Sequence, residues 1–183
     1  MKLLPFLLAL FISSIAFGQQ NCQERKSLKS AGAATPPINN NGKSDTLDIL
    51  HIDLDMDMTQ VQNGLIYGKA TLTIVPKVNG VHRVNLDFLT LHIDSVLYND
   101  VPILVYNFSS GPNFPINLPD TLNATDTFKL AIKYYGGPVQ DPSGWGGFHF
   151  ANPYYFNLGV GFAANPHTFG RAWFPCYDNF VER

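Results

Sequence analysis

The sequence predicts an all-β fold, an antiparallel β-sandwich, from three observations. Apolar and polar residues alternate with a period of two in several segments, as they do in strands that turn one face to a core. Turn-forming Asn, Asp, Gly and Pro residues separate these segments. No window keeps a helical period. Turns at intervals of roughly ten to twenty residues predict about nine or ten short strands in two packed sheets.

The first predicted strand is His51–Met58. Its apolar side chains point to one face and its carboxylates to the other: Ile52, Leu54, Met56 and Met58 against Asp53, Asp55 and Asp57. The aspartates also match the start of a calcium-binding loop, D-x-D-x-D-G. That loop needs Gly at its sixth position and a closing Glu, whereas this segment has Met58 and no closing glutamate. The large apolar residues between the aspartates therefore favour a strand.

The same alternation predicts six further strands: Leu65–Val75, His82–Leu89, Leu91–Tyr98, Ile103–Asn107, Phe114–Leu118 and Asp126–Tyr135. The side chains predicted to face the core are Ala70, Leu72, Ile74, Val84, Leu86, Phe88, Phe128, Leu130, Ile132 and Tyr134. Turns are predicted at Asn63-Gly64, Asn79-Gly80 and Asn99-Asp100, because these residue types tolerate a positive φ. The alternation slips at Asp94-Ser95, which predicts a β-bulge.

The first 18 residues are predicted to be an export signal. Lys2 provides the positive start, an apolar run follows, and small residues precede a cleavage site between Gly18 and Gln19. The alternative is a membrane anchor, but the run is shorter than the roughly 20 residues that a bilayer requires. No later segment of the sequence is long and apolar enough to span a membrane. The mature protein is therefore expected to be exported: periplasmic, on the cell surface or secreted.

The mature chain is expected to hold one folded domain. Residues 19–44 are rich in polar and small residues and are predicted to form a flexible lead-in. Residues 45–183 form the predicted sandwich domain, which ends in a stretch dense in Gly, Pro and aromatic residues. A net charge of −2 with no strong basic cluster disfavours nucleic-acid binding. The two cysteines, Cys22 and Cys176, make no disulfide framework, although export permits them to pair.

The sequence contains few candidate catalytic residues. Its only glutamates are Glu24 and Glu182, and none of its five histidines lies in an H-E-x-x-H motif. His82 and His92 lie in alternating strands and are not expected to bind a metal, which needs at least three converging groups. Cys176 stands beside proline and large rings, so a buried, inert thiol is expected rather than a nucleophile. We therefore predict no catalytic, cofactor-binding or metal-binding residue in this chain.

The stretch GRAWFPCYDN, however, resembles the A-R-x-x-F-P-C-x-D-E-P signature of zinc aminopeptidases of the aminopeptidase N and leukotriene hydrolase type. The matching residues are Arg171, Phe174, Pro175, Cys176 and Asp178. The order of the preceding strands also resembles that family, so the likeness covers residues 45–183. Two features depart from the family pattern: Asn179-Phe180 replaces E-P, and Ala164–Pro166 lacks the glutamine or glutamate that binds a substrate amine. No substrate-binding residue is therefore carried over.

The resemblance implies that this chain is the saddle-like N-terminal β-sandwich domain of an exported zinc metallo-aminopeptidase. In the parent protein, a downstream thermolysin-like catalytic domain would hold the zinc and hydrolyse peptide substrates from the N-terminus. This chain would be a fragment without the zinc site, inactive alone, with the signature residues forming the corner at the domain boundary. Arg171 and Asp178 are expected to form a partly buried ion pair there or to remain separate surface charges.

Two other functions remain open. The chain is alternatively a stand-alone secreted binding module whose aromatic stretch, Trp145 to Phe180, recognises a glycan or a protein. It is otherwise a nonenzymatic relative that uses the same sandwich as an assembly scaffold.

Overall fold

The structure is a computed structural model, and it describes residues 43–104 and 111–179. The predicted signal peptide with its cleavage site, and Cys22, lie outside these residues. The described part contains nine strands: β1 Leu47–Asp57, β2 Ile66–Pro76, β3 Val81–Phe88, β4 His92–Tyr98, β5 Val101–Ile103, β6 Gly111–Leu122, β7 Phe128–Gly136, β8 Phe148–Ala151 and β9 Tyr154–Asn157. Helical structure there is limited to α1 Lys43–Thr46 and two 3-10 turns, η1 Val61–Asn63 and η2 Gly170–Ala172.

The strands form antiparallel sheets. Five strands pair in the order β1-β2-β7-β4-β5, while β3 pairs with β6 and β8 pairs with β9. Because β3 and β6 leave the five-stranded sheet and pair with each other, the chain crosses between sheets rather than forming one continuous meander. The all-β class with antiparallel sheets is thereby confirmed.

The core lies between the five-stranded sheet and the β3–β6 pair. All ten side chains that the alternation assigned to the core are buried: Ala70, Leu72, Ile74, Val84, Leu86, Phe88, Phe128, Leu130, Ile132 and Tyr134. Phe88 of β3 meets Tyr134 of β7 edge to face, with ring centroids 5.3 Å apart, so the two layers touch through aromatic rings. The Tyr134 hydroxyl donates to the Met56 sulfur at 3.4 Å, and burial raises the pKa of Tyr134.

Several local predictions are confirmed. The pairing of β4 with β7 shifts register between Ile93 and Ser95, where the slipped alternation predicted a bulge. Asn99 and Asp100 both have positive φ, 46° and 66°, as their turn requires. In β1, Ile52, Leu54 and Met56 pack against the core, while the three aspartates are exposed.

Other predictions need correction. β1 begins at Leu47 rather than His51 and has its own register shift between Ile49 and His51. The Asn63-Gly64 connection is not a two-residue hairpin turn: η1 precedes Gly64, which caps it at φ 73°. β5 ends at Ile103, where a strand was predicted to begin; residues 105–107 of that predicted strand lie outside the described residues.

β8 and β9 were not predicted at all. Their short hairpin has exposed or half-buried aromatic side chains on both faces, so no period of two marks it in the sequence. None of the helices in residues 43–104 and 111–179 is long and apolar enough to cross a membrane.

Candidate functional site

The signature segment forms a corner that pairs with β3. The Asp87 N–H donates to the Cys176 carbonyl at 2.7 Å, and the Cys176 N–H donates to the Asp87 carbonyl at 3.1 Å. The Leu89 N–H donates to the Arg171 carbonyl at 2.8 Å. Because β3 otherwise pairs only with β6 among the named strands, these bonds cover its second edge.

Arg171 and Asp178 form an ion pair within this corner, and both side chains are buried. The Arg171 guanidinium also donates to the Thr168 carbonyl at 3.2 Å and lies 5.2 Å from the centre of the Phe169 ring. The second Asp178 oxygen accepts the Gly170 N–H at 3.0 Å. Of the two arrangements expected for these charges, the structure shows the ion pair rather than two separate surface charges.

A second carboxylate, that of Asp87, supports the corner from beneath. It accepts the Asp178 N–H at 3.0 Å on one oxygen and contacts the Lys43 ammonium at 2.5 Å on the other. Sequence reasoning missed this residue. The alternation of β3 places Asp87 opposite the core-facing Leu86 and Phe88, on a face expected to be wet. Arg83 and Asn85 on that face are exposed, but Asp87 is buried because the signature segment, some ninety positions later in the chain, covers it.

The remaining signature residues pack around this charged centre. Trp173 and Phe174 meet edge to face with ring centroids 4.8 Å apart, and both pack against the core. Pro175 is buried. Aromatic rings thus pack on one side of the corner, and hydrogen-bonded charges lie on the other.

Cys176 is buried and free in this corner, and its environment suppresses the thiolate. Burial raises the pKa of the Cys176 thiol well above its ordinary value, and the Asp178 and Asp87 carboxylates raise it further. The positive charges of Arg171 and Lys43 oppose that shift without cancelling it. This environment supports the interpretation of Cys176 as an inert structural thiol, because a nucleophile needs a lowered pKa and access to solvent.

A cleft of about 540 Å³ runs beside the corner. The β1 residues Ile49 to Ile52 line one side, and Trp173, Phe174 and Tyr177 line the other. Two polar atoms in its lining residues are buried without a hydrogen-bond partner in the described part of the chain: the Trp173 indole nitrogen and the Asn157 side-chain oxygen. One is a donor and the other an acceptor, and both atoms are enclosed by the protein rather than open to the cleft.

Asp141 accepts several hydrogen bonds in the glycine-rich segment at residues 141–147. Sequence reasoning also missed this residue. One carboxylate oxygen accepts the Ser143 N–H at 3.1 Å, the Ala163 N–H at 3.0 Å and the Ser143 hydroxyl. Burial opposes ionisation of Asp141, but these hydrogen bonds outweigh it and place its pKa below the ordinary value. The carboxylate thus ties the turn at residues 141–144 to the segment that leads into the corner.

Within residues 43–104 and 111–179, no group of three or more His, Cys, Asp or Glu side chains converges as metal ligands would. His82 is exposed, and its ring nitrogen lies 3.3 Å from the Gly80 carbonyl. His92 is exposed and stacks on Tyr135.

No protein-family model matches the chain, and no curated protein matches it. Solved structures do. An M1 zinc metallopeptidase mutant from Deinococcus radiodurans, bound to a Tyr-Ser-Ala substrate, superposes with a TM-score of 0.63 and 23% identity. That match covers 75% of this chain and 30% of the metallopeptidase.

This chain has the fold of part of the M1 zinc metallopeptidases. A two-domain M1 zinc metallopeptidase mutant bound to L-tryptophan matches with a TM-score of 0.62 and 21% identity, over 80% of this chain and 32% of its own. Yeast LTA4 hydrolase matches with a TM-score of 0.51 and 15% identity, over 87% of this chain and 24% of its own. The chain thus spans a third or less of these structures. These comparisons confirm the expected fold.

Removing one partner of the buried ion pair should be costly. Arg171→Ala leaves the Asp178 carboxylate buried without its guanidinium, so we expect the free energy of unfolding to fall by about 3–5 kcal/mol. Lys77→Ala is the matched control, because Lys77 and Asp48 are 3.8 Å apart and about 40% exposed; it should cost at most about 1 kcal/mol. Urea unfolding of both variants measures the difference, and equal losses would show that the corner does not depend on this pair.

The raised pKa of Cys176 predicts a thiol that stays protonated through neutral and mildly alkaline pH. In a Cys22→Ser background, iodoacetamide at pH 8 should leave the native protein unlabelled and should label it after unfolding in urea. Mass spectrometry counts the added groups. Rapid labelling of the native protein at pH 8 would contradict a buried, protonated thiol.

Proposed function

We propose that this chain is the noncatalytic β-sandwich domain of an exported zinc-dependent aminopeptidase. In that protein a separate, thermolysin-like domain holds the zinc and hydrolyses peptides from the N-terminus. The observation that carries the proposal is the fold match: 75% of this chain corresponds to only 30% of an M1 zinc metallopeptidase. The described residues form a hydrophobic core of their own, as a domain within a longer enzyme would.

The corner supplies what such a domain needs at its boundary. Arg171, Asp178 and Asp87 fix the last described residues against β3 through buried hydrogen bonds. A corner fixed in this way gives a neighbouring domain a rigid surface to contact. The role that we assign to this chain in the reaction is therefore positioning: zinc, when bound by the parent protein, supplies the Lewis acid, and no residue of this corner reacts.

The cleft beside the corner supports contact with that domain. The lining of the cleft is mainly apolar, with Ile49 and Ile52 on one side and Trp173 and Phe174 on the other, which suits the apolar side chains of an inserted segment. We assign the cleft to a segment of the catalytic domain.

A stand-alone binding module is the second candidate, and the exposed rings favour it. Trp145 and Tyr154 are each 72% exposed, and Phe162 is 64% exposed. Apolar rings in such positions contact a partner, whether that partner is a neighbouring domain or a separate ligand.

Expression of the complete gene product separates the two functions. The first predicts an H-E-x-x-H motif in the same reading frame and release of p-nitroaniline from an aminoacyl substrate that a chelator abolishes and zinc restores. A complete product without that motif, or turnover insensitive to chelators, would favour the binding module.

Export is a further part of the proposal, supported by Lys2 and by the apolar run before Gly18. Expressed in its native host, the mature protein should begin at Gln19 and should fractionate outside the cytoplasm. N-terminal sequencing and cell fractionation test this, and a cytoplasmic product that retains Met1 would contradict it.

A further inference from the structure

The outer face of the five-stranded sheet has a row of aromatic side chains that crosses three adjacent strands. The register places Tyr67 of β2 opposite Tyr135 of β7, and Tyr135 opposite His92 of β4. The rings stack: the Tyr67 and Tyr135 centroids are 5.8 Å apart at 18°, and those of His92 and Tyr135 are 5.4 Å apart at 29°. Asp57 of β1 lies opposite Tyr67 and ends the row.

A charged row lies next to the aromatic row on the same face. Asp55 of β1 is opposite Lys69 of β2, Lys69 is opposite Lys133 of β7, and Lys133 is opposite Ser95 of β4, beside Asp94. Asp55, Lys69 and Lys133 are each two positions from Asp57, Tyr67 and Tyr135, so on β1, β2 and β7 both rows point outward. On β4 the register shift places Ser95 three positions from His92. Together the two rows line a groove of about 530 Å³, within the range of about 300–1,000 Å³ typical of small-molecule sites.

Sheet stabilisation does not account for the whole arrangement. Cross-strand aromatic pairs do stabilise sheets, which explains why the rings stack. It does not explain why Tyr67 and Tyr135 remain 42% and 41% exposed, or why they border a groove with charged groups of both signs. None of the signature residues lines this groove.

The backbone here limits what can bind. β2, β7 and β4 are interior strands, hydrogen-bonded on both sides, so an extended peptide cannot add to them as a further strand. Recognition must therefore use the side chains. Flat rings offer apolar faces and edges, while carboxylates accept and ammonium groups donate hydrogen bonds.

The distribution of charge favours a neutral ligand. Three carboxylates (Asp55, Asp57, Asp94) and two ammonium groups (Lys69, Lys133) line the groove. A polyanion would be repelled by the carboxylates and a polycation by the lysines. A sugar hydroxyl both donates and accepts, so it can pair with either kind of group, and the C–H faces of a sugar ring suit tyrosine rings.

We propose that this groove binds a neutral oligosaccharide. Tyr67 and Tyr135 contact the apolar faces of the sugar rings, while Asp55, Lys69 and Lys133 hydrogen-bond to hydroxyl groups. The inference does not depend on the zinc-aminopeptidase proposal, because every residue that it uses lies within this sheet.

Affinity electrophoresis and titration calorimetry of the full chain test the proposal. The neutral probes are cello-, xylo-, malto- and chito-hexaose, and the charged probes are polygalacturonate, heparin and a lysine-rich peptide. We expect binding of at least one neutral hexaose. Tyr67→Ala and Tyr135→Ala should each weaken it about tenfold, by the loss of one ring contact. Asp55→Asn preserves the shape of its side chain and should also weaken binding.

The control is Val101→Ala, because Val101 is an exposed residue of β5 outside the groove. It should bind the hexaose as tightly as the unaltered chain, and circular dichroism should show that every variant keeps its strand content. Three results would each overturn the proposal: no neutral hexaose binds at millimolar concentration; the groove variants bind as tightly as the Val101 control; or only a charged probe binds. Asp55→Asn keeps the test valid if a tyrosine variant fails to fold.

Discussion

The described fold depends on four buried or nearly buried charges at one corner, each of which must be paired. Arg171 pairs with Asp178, Lys43 pairs with Asp87, and Asp87 also accepts the Asp178 N–H. A charge taken out of water is costly unless it is paired and hydrogen-bonded, so no one of these groups can be buried alone. The corner therefore forms only when α1, β3 and the signature segment are all in place. It links the first and last described elements to the middle of the sandwich.

That same condition explains why a thiol at the centre of the signature is structural. A catalytic cysteine needs positive charge and solvent nearby, whereas Cys176 lies against two carboxylates whose own counter-ions are already committed to them. The backbone of Cys176 bonds to β3, so its position is fixed by main-chain pairing. A small side chain with only a weak hydrogen-bonding group fits this position. The space is tight, because a Cβ added to Gly170 would lie 3.4 Å from the Cys176 Sγ. Burial at this corner therefore opposes formation of a reactive thiolate.

The sequence predicts which side chains are buried where a strand turns one face to the core. It does not predict burial that a distant segment of the chain causes. The strands β2, β3 and β7 each turn alternate side chains to one core, and a period of two reports that directly. Asp87 obeys the same period but is covered from its wet side by the signature segment, which no local pattern reveals. The β8–β9 hairpin has rings on both faces, so it shows no period. The resemblance identified Arg171 and Asp178. It did not identify Asp87 and Lys43, which pair with each other beneath the corner, or Asn157, which lines the cleft.

The register of the five-stranded sheet couples its core to its outer face. Gly68 lies opposite Tyr134, and a Cβ on Gly68 would lie 2.3 Å from the Tyr134 ring, so the missing side chain makes room for that ring on the inner face. Because successive residues of a strand face opposite ways, the same register brings Tyr67 and Tyr135 together on the outer face. A slip of one residue would break the inner packing and the outer row at once. The packing of the core thus fixes the geometry of the outer groove. It does not constrain which side chains face outward into the groove, so those can be suited to a ligand.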